Sequence, residues 1–178
     1  LLNAFCHADY AQEIPIQVNQ EADRVEICNP GRLPDEISLE NVLRRRSAQA
    51  NPLLAEALAR LGLSRRAESG MQCIFRELLS NGSQPPAFDF LNGQVKVTIA
   101  GGATSARFRC FVEQEAQEGR TLSLDHLLAL HAALRQPEID LAAAARVCQL
   151  DEPQALTVLE ELETPGYLKR IVNGQEIT

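Results

Sequence analysis

Tryptophan is absent from this 178-residue chain, methionine occurs once, and the aromatics together make up 4%. Surfaces that stack the bases of single-stranded nucleic acid need such rings, so an RNA-binding sheet of that kind is disfavoured. The core must be built from Leu, Ala, Val and Ile. No run approaches the roughly 18 apolar residues of a membrane span, and the first residues lack the basic-then-apolar order of a signal peptide. The five cysteines, Cys6, Cys28, Cys73, Cys110 and Cys148, are odd in number and scattered, with no Cys-x-x-Cys pair to seed a zinc or redox site. They read as reduced, mostly buried thiols of a cytoplasmic protein. Positive charge is short as well: 17 Lys and Arg against 24 Asp and Glu give a net charge of -7 and a pI near 5.0. That excludes a whole-surface footprint for nucleic acid and leaves room only for a local basic patch.

What is present is ordinary for a globular protein. Hydrophobic residues make up 45% and charged ones 23%, so disorder, collagen-like repeats and a disulfide-stapled miniprotein are poor explanations. The length fits one domain or two small ones.

Leu1 falls in what reads as mid-helix with no capping residue before it, so that helix is expected to begin upstream. Ile14, Ile16 and Val18 alternate with polar neighbours, and Arg24-Val25-Glu26-Ile27-Cys28 alternates again, which predicts a two-stranded hairpin. Asn29-Pro30-Gly31-Arg32-Leu33-Pro34 is dense in turn formers and is expected to take the backbone out of the sheet. Helices are predicted from Ser38, from Asn51-Pro52 through Leu53, Leu54, Ala57, Leu58 and Leu61, and from near Ser69 with Cys73, Ile74, Leu78 and Leu79 inward. Phe88 and Phe90, then Asn92-Gly93, then Val95, Val97 and Ile99 predict a second hairpin.

A helix from Arg107 to Glu118 bridges to a second unit. There the leucines 124, 127, 128, 130 and 134, an Ala-rich stretch over 139–147 and Leu156, Leu159 and Leu162 predict three helices, with Asp151 a cap before the third. A hairpin about Asn173-Gly174 follows. Three helices and a two-stranded ribbon outline a winged helix-turn-helix.

In the first hundred residues, Asn3-Ala4 through His7-Ala8-Asp9-Tyr10, Arg24-Val25-Glu26-Ile27 running into Asn29-Pro30-Gly31-Arg32-Leu33-Pro34, Asn51-Pro52, and Glu68-Ser69-Gly70-Met71 occur in order. This series resembles the ATP-binding domain of bacterial transcriptional regulators described as RecG C-terminal-like. The resemblance implies an α+β chain with a divergent GHKL (Bergerat) α/β sandwich, preceded in the family by an AlbA/Schlafen-type DNA-binding domain and followed by a winged helix. The expected division is 1–102 for the ATP-binding-type domain, 103–120 for a helical linker and 121–178 for the winged helix-turn-helix.

The resemblance also implies ligands. ATP and Mg²⁺ would be held by Asn3, His7, Asn29, Gly31 and Gly70, with the Asn3 carbonyl completing the oxygen shell of a Mg²⁺ already on the phosphates. Asn29 would face the adenine edge, in a place where the family carries Asp. Gly70 would open a phosphate-wrapping helix where the family carries two glycines. The arginines usual after His7 and before Asn51 are missing. The family's general base, a Glu one helical turn before the Asn, would lie upstream of Leu1. No catalytic residue is therefore assigned, and hydrolysis is expected only in a longer chain that supplies that Glu. A non-hydrolysing GHKL scaffold kept for dimerisation or other protein contact is the alternative.

The remaining motifs carry less. His126 and His131 stand five apart and do not share a helix face well, so no metal site is expected beyond Asn3. Arg44-Arg45-Arg46 and Arg65-Arg66 read as solvated surface. From residue 121 onward four basic residues stand against nine acidic ones, the wrong sign for counterion release. DNA contact would then be confined to Gln154 and Thr157 at the start of the third helix and to Lys169 and Arg170 beside the ribbon. A homo-oligomer is expected, and no membrane partner.

Overall fold

The computed structural model describes residues 1–32, 37–38, 40–45, 50–63, 70–102, 105–136, 138–172 and 175–176. The chain divides into two compact units, Leu1–Phe111 and Val112–Thr178. Four strands of the first unit, β1 (Gln17–Gln20), β2 (Arg24–Pro30), β3 (Ala87–Leu91) and β4 (Gln94–Ala100), form an antiparallel sheet in the order β1-β2-β4-β3. Its register sets Val25, Ile27 and Asn29 opposite Ile99, Val97 and Val95, and Phe88 and Phe90 opposite Val97 and Val95. Because successive side chains alternate, these residues share one face, while Arg24, Glu26, Lys96 and Asp89 share the other. On the polar face Arg24 lies 2.6 Å from Glu21 and 3.3 Å from Glu26, and Lys96 lies 3.2 Å from Asp89. Such half-exposed pairs contribute about 0–1 kcal/mol each, so the apolar face sets the register.

That apolar face carries helices. The first unit contains α1 (Leu2–His7), α2 (Pro52–Arg60) and α3 (Gly70–Ser80). Phe75 of α3 stacks on Phe88 with ring centroids 6.2 Å apart, and Leu79 one turn on is fully buried. The predicted inward set of α3 is corrected accordingly: Phe75 and Leu79 form its buried edge, while Cys73, Ile74 and Leu78 are half-buried. In α2 the leucine pattern misleads more. Leu53 and Leu61 are 82% and 72% exposed, and Ala55 is the residue that packs inward. Helix α2 lies against α1.

The first hairpin also differs from expectation. Pairing of β1 begins at Gln17 opposite Cys28, so Ile14 and Ile16 precede the strand. The next acceptor along β2, the Pro30 carbonyl, is taken by the backbone N–H of Asp9 at 2.9 Å. Nor does the chain leave the sheet at Asn29-Pro30: β2 runs through Pro30, which pairs with Gln94. Residue 30 turns its backbone groups to the β1 side, beyond the end of β1, so the N–H that proline lacks is not missed. Ser38 does not start a helix among the described residues; residues 40–44 form turns in which Asn41 Oδ1 accepts from the Ser38 N–H at 2.8 Å. The second hairpin turns at Asn92-Gly93, with φ of 54° and 73°, the left-handed pair that a two-residue hairpin requires. Leu33-Pro34, Arg46, Arg65-Arg66, Glu68-Ser69 and Asn173-Gly174 lie outside the described residues.

Helix α4 (Ala106–Gln117) runs across the division between the units. The second unit continues with α5 (Leu124–Ala133), α6 (Leu141–Cys148), α7 (Glu152–Glu163) and a two-stranded ribbon of β5 (Ile171–Val172) and β6 (Gln175–Glu176). Each of α5 to α7 has a side-chain N-cap: Ser123 in a reciprocal capping box with His126, Asp140 on the Ala143 N–H and Asp151 on the Gln154 N–H. Leu127, Ala144, Cys148, Ala155 and Leu162 are buried at their junction. Along α7 the inward residues are Ala155, Val158 and Leu162, and Leu156 is turned outward. None of the five cysteines is in a disulfide; Cys6 and Cys148 are buried and Cys110 is exposed.

Glu115 is the buried carboxylate among the described residues of this unit, and it anchors a polar cluster. Glu115, 5% exposed, accepts from Arg120 through Nε at 2.5 Å and Nη2 at 3.0 Å, and from the Tyr167 hydroxyl. The Arg120 guanidinium first, and the Tyr167 hydroxyl second, hold the Glu115 carboxyl down at about 2, against an ordinary value of 4.5. The stability this contributes is fully present above the unfolded value and is lost as pH falls through the folded one. Calorimetric unfolding should therefore show a drop in Tm between pH 4.5 and about 2 that Glu115→Gln flattens. Parallel profiles for the two proteins would contradict this.

Candidate functional site

Helix α1 is short, and its two polar side chains, Asn3 and His7, stand four residues apart and so share a face. Each end of α1 meets a glycine from elsewhere in the chain. At the N-terminal end the Asn3 carboxamide lies directly on the α-carbon of Gly70, so closely that a Cβ there would overlap its Oδ1, Cγ and Nδ2 atoms. Gly70 is the first residue of the 11-residue α3, whose opening N–H groups have no partner within the helix. At the C-terminal end, Gly31 has φ 138° and a Cβ would come within 3.1 Å of the His7 carbonyl oxygen and 3.6 Å of the Asp9 nitrogen. No side chain is tolerated here without strain.

Asn29, only 5% exposed, points from the apolar sheet face into this junction. Its Nδ2 donates to the Pro30 carbonyl at 3.2 Å and lies 3.9 Å from the position of a Gly31 Cβ. The structure thus places the Asn3 side chain with Gly70, and the His7 carbonyl with Gly31 and Asn29, at the two ends of α1. Burial pushes the His7 imidazole below its ordinary value, so near neutral pH it offers a donor and an acceptor and no positive charge. Asp9 is engaged locally, accepting from the Ala11 N–H at 3.1 Å and from Gln12 Nε2 at 2.9 Å. Among the described residues no group of three or more His, Cys, Asp and Glu could hold a metal. The oxygen at hand is that of the Asn3 carboxamide.

Two contributors escaped the sequence reading. Gln72, on the first turn of α3, donates from Nε2 to the Leu43 carbonyl at 2.8 Å. Asn51, at the predicted start of α2, makes no side-chain cap there; its Nδ2 instead reaches the Cys6 and Ala8 carbonyls at 3.2 and 2.7 Å. Partners more than forty positions away leave no local signal. An open depression of about 700 Å³ adjoins Gly31 on its other side, lined by Arg32, Ile37, Ser38, Glu40, Phe90, Gly93 and Gln94. It does not include Asn3, His7 or Gly70.

In the second unit Gln154 and Lys169 are exposed. The Thr157 hydroxyl donates back to the Pro153 carbonyl at 3.1 Å. Arg170 donates to Glu163 at 2.8 Å and lies 3.8 Å from Glu160, so much of its charge is already countered. Glu161 faces His126 at 2.8 Å. Five Lys and Arg stand against twelve Asp and Glu over 112–178, so the net charge of -7 resides in this unit and the first is neutral.

Residues 13–99 match the family described as "Putative ATP-dependent DNA helicase recG C-terminal". Over that stretch the chain is similar to the ATPase-like domains of that family. The stretch includes Asn29, Gly31 and Gly70; Asn3 and His7 precede it. Among solved structures, the DIP2311 protein from Corynebacterium diphtheriae is similar, with 27% identity and a TM-score of 0.80 over 97% of this chain. The present chain spans 38% of that protein's length. No curated protein matches. No helix among the described residues is long and apolar enough to cross a membrane.

The Asn3 and Gly70 contact generates a double-mutant test. Gly70→Ala should destabilise the wild-type background, because the new methyl displaces the Asn3 amide, and should be neutral or stabilising in Asn3→Ala. A coupling of about 1 kcal/mol in thermal unfolding is expected. Additive effects would show that the two residues do not touch.

Proposed function

We propose that the first unit is a nucleotide-binding domain that takes ATP with Mg²⁺, and that it serves as the effector or dimerisation part of a cytoplasmic transcriptional regulator. The observation that carries this reading is the Asn3 carboxamide set against Gly70 at the N-terminus of α3. A Mg²⁺ there would neutralise phosphate charge, drawing most of its ligands from phosphates and water. The chain's own contribution is to hold one neutral oxygen beside backbone N–H groups that favour anions. Asn29 and the neutral His7, at the other end of α1, supply hydrogen-bonding groups for the base. Gly31 lets the backbone approach that end of α1.

Binding is favoured over turnover. Asp9, the carboxylate next along from His7, is occupied by Ala11 and Gln12 and is not poised to activate water. The second reading, a scaffold for self-association without nucleotide, is separated by titration. Calorimetry with Mg·ATP should give a Kd below about 1 mM for the wild-type chain and about tenfold weaker binding for Asn3→Ala, the loss of one contact to a charged group. Silence at millimolar nucleotide would leave the scaffold reading alone.

The second unit is proposed to be a winged helix, with α7 in the place of the recognition helix and β5-β6 as the wing. Its charge favours protein over DNA as the partner, since phosphate would be approached against repulsion. The full chain should bind duplex DNA no tighter than about 10⁻⁴ M at physiological salt, the weak end of non-specific binding. Tight binding with a steep salt dependence, lost in a Lys169→Ala, Arg170→Ala double variant, would reverse that preference.

A further inference from the structure

A helix leaves its last carbonyls without internal partners, and in a helix as short as α1 those carbonyls are most of the element. Within α1 and its cap, the Leu1 carbonyl accepts from the Phe5 N–H and the Ala4 carbonyl from the Ala8 N–H, at 3.1 and 2.8 Å. The carbonyls of residues 5 to 8 therefore need donors from elsewhere. Asn51 reaches three of them, and the Tyr10 hydroxyl also donates to the Phe5 carbonyl, at 3.1 Å. Its backbone N–H donates to Cys6 at 3.1 Å, and its Nδ2 is shared among Phe5, Cys6 and Ala8 at 3.4, 3.2 and 2.7 Å. The remaining carbonyl, of His7, is the one against Gly31. Meanwhile α2, which Asn51 precedes, starts on Pro52 and takes no hydrogen bond from the Asn51 side chain.

We propose that Asn51 is the positioning residue of the nucleotide site: it caps the C-terminal end of α1 from 43 to 46 positions away, and thereby sets where Asn3 and His7 stand relative to Gly70 and Gly31. This rests on the nucleotide reading above. Rotation or fraying of α1 would carry Asn3 off Gly70, because both ends of the helix move as one turn. The role is distinct from ordinary capping of α2, and one substitution separates the two. Serine is as good an N-cap as asparagine, yet its side chain is too short to reach the α1 carbonyls. Glutamine keeps the carboxamide donors on a longer stem.

The test uses the full chain with Mg·ATP as ligand and amide hydrogen exchange without it. In Asn51→Ser the Ala8 amide should exchange about tenfold faster while α2 amides keep their protection, Mg·ATP should bind about tenfold more weakly, and Asn51→Gln should recover part of both. Phe88→Leu, which loosens the aromatic stack away from α1, should lower Tm and leave the affinity within about twofold. Loss of protection in α2 with α1 intact, or a serine variant that behaves as wild type, would overturn the proposal. So would a Phe88→Leu protein that loses affinity in parallel with its Tm, since that would make the effect one of general stability. A wild type that binds Mg·ATP beside an Asn51→Ser that binds equally defeats the positioning role alone. A wild type silent toward Mg·ATP defeats the nucleotide reading itself and with it the role of Asn51 there.

Discussion

The exposed carbonyl end of α1 is the constraint on which the first unit is organised. A six-residue helix makes too few internal hydrogen bonds to hold itself in water, so it persists only where other segments supply donors and packing. Two segments far apart in sequence do so. The end of β2 closes on it through Asp9, whose N–H reaches the Pro30 carbonyl, and through Gly31, whose missing side chain lets the His7 carbonyl come close. The start of α2 closes on it through Asn51. Strand, helix and helix thereby meet at one turn of backbone, and the same turn orients Asn3 toward the start of α3. The buried Asn29, polar on an otherwise apolar sheet face, donates to the Pro30 carbonyl at that same junction.

The two units differ in their physical character. The first is electrically neutral and built around a sheet with one apolar face; the second carries all of the net charge on helices that are capped side chain by side chain. Its glutamates are not a bare repulsive surface: Glu115 is locked by Arg120 and Tyr167, Glu161 by His126, and Glu163 by Arg170. The pairing leaves little free cation for phosphate and accounts for how so acidic a helix is held in place.

Much of the fold was legible because local rules decide it. The Asn92-Gly93 turn, the cap at Asp151, and the alternation of Val95, Val97 and Ile99 each depend on residues a few positions apart. The misreadings come from tertiary override. Leu53 and Leu61 obey helical spacing yet face water, and the small Ala55 is the buried residue of α2. Pro30 breaks strands in general and completes one here, because β1 has ended on that side and no strand there needs an N–H from residue 30. For the candidate site, the motif order singled out Asn3, His7, Asn29, Gly31 and Gly70, and the structure brings them together at the ends of α1. The part played by Asn51 could not be read, since its acceptors lie on a helix that sequence spacing never connects to it.

The central claim is that the two ends of α1 form one ligand-binding surface. Amide-resolved NMR of the full chain titrated with Mg·ATP tests it most directly. The account predicts that the resonances that move first and furthest belong to Asn3, His7, Asn29, Gly31 and Gly70, with the second unit still. Shifts confined to the depression lined by Phe90 and Gln94, or to α7 and the ribbon, would contradict it.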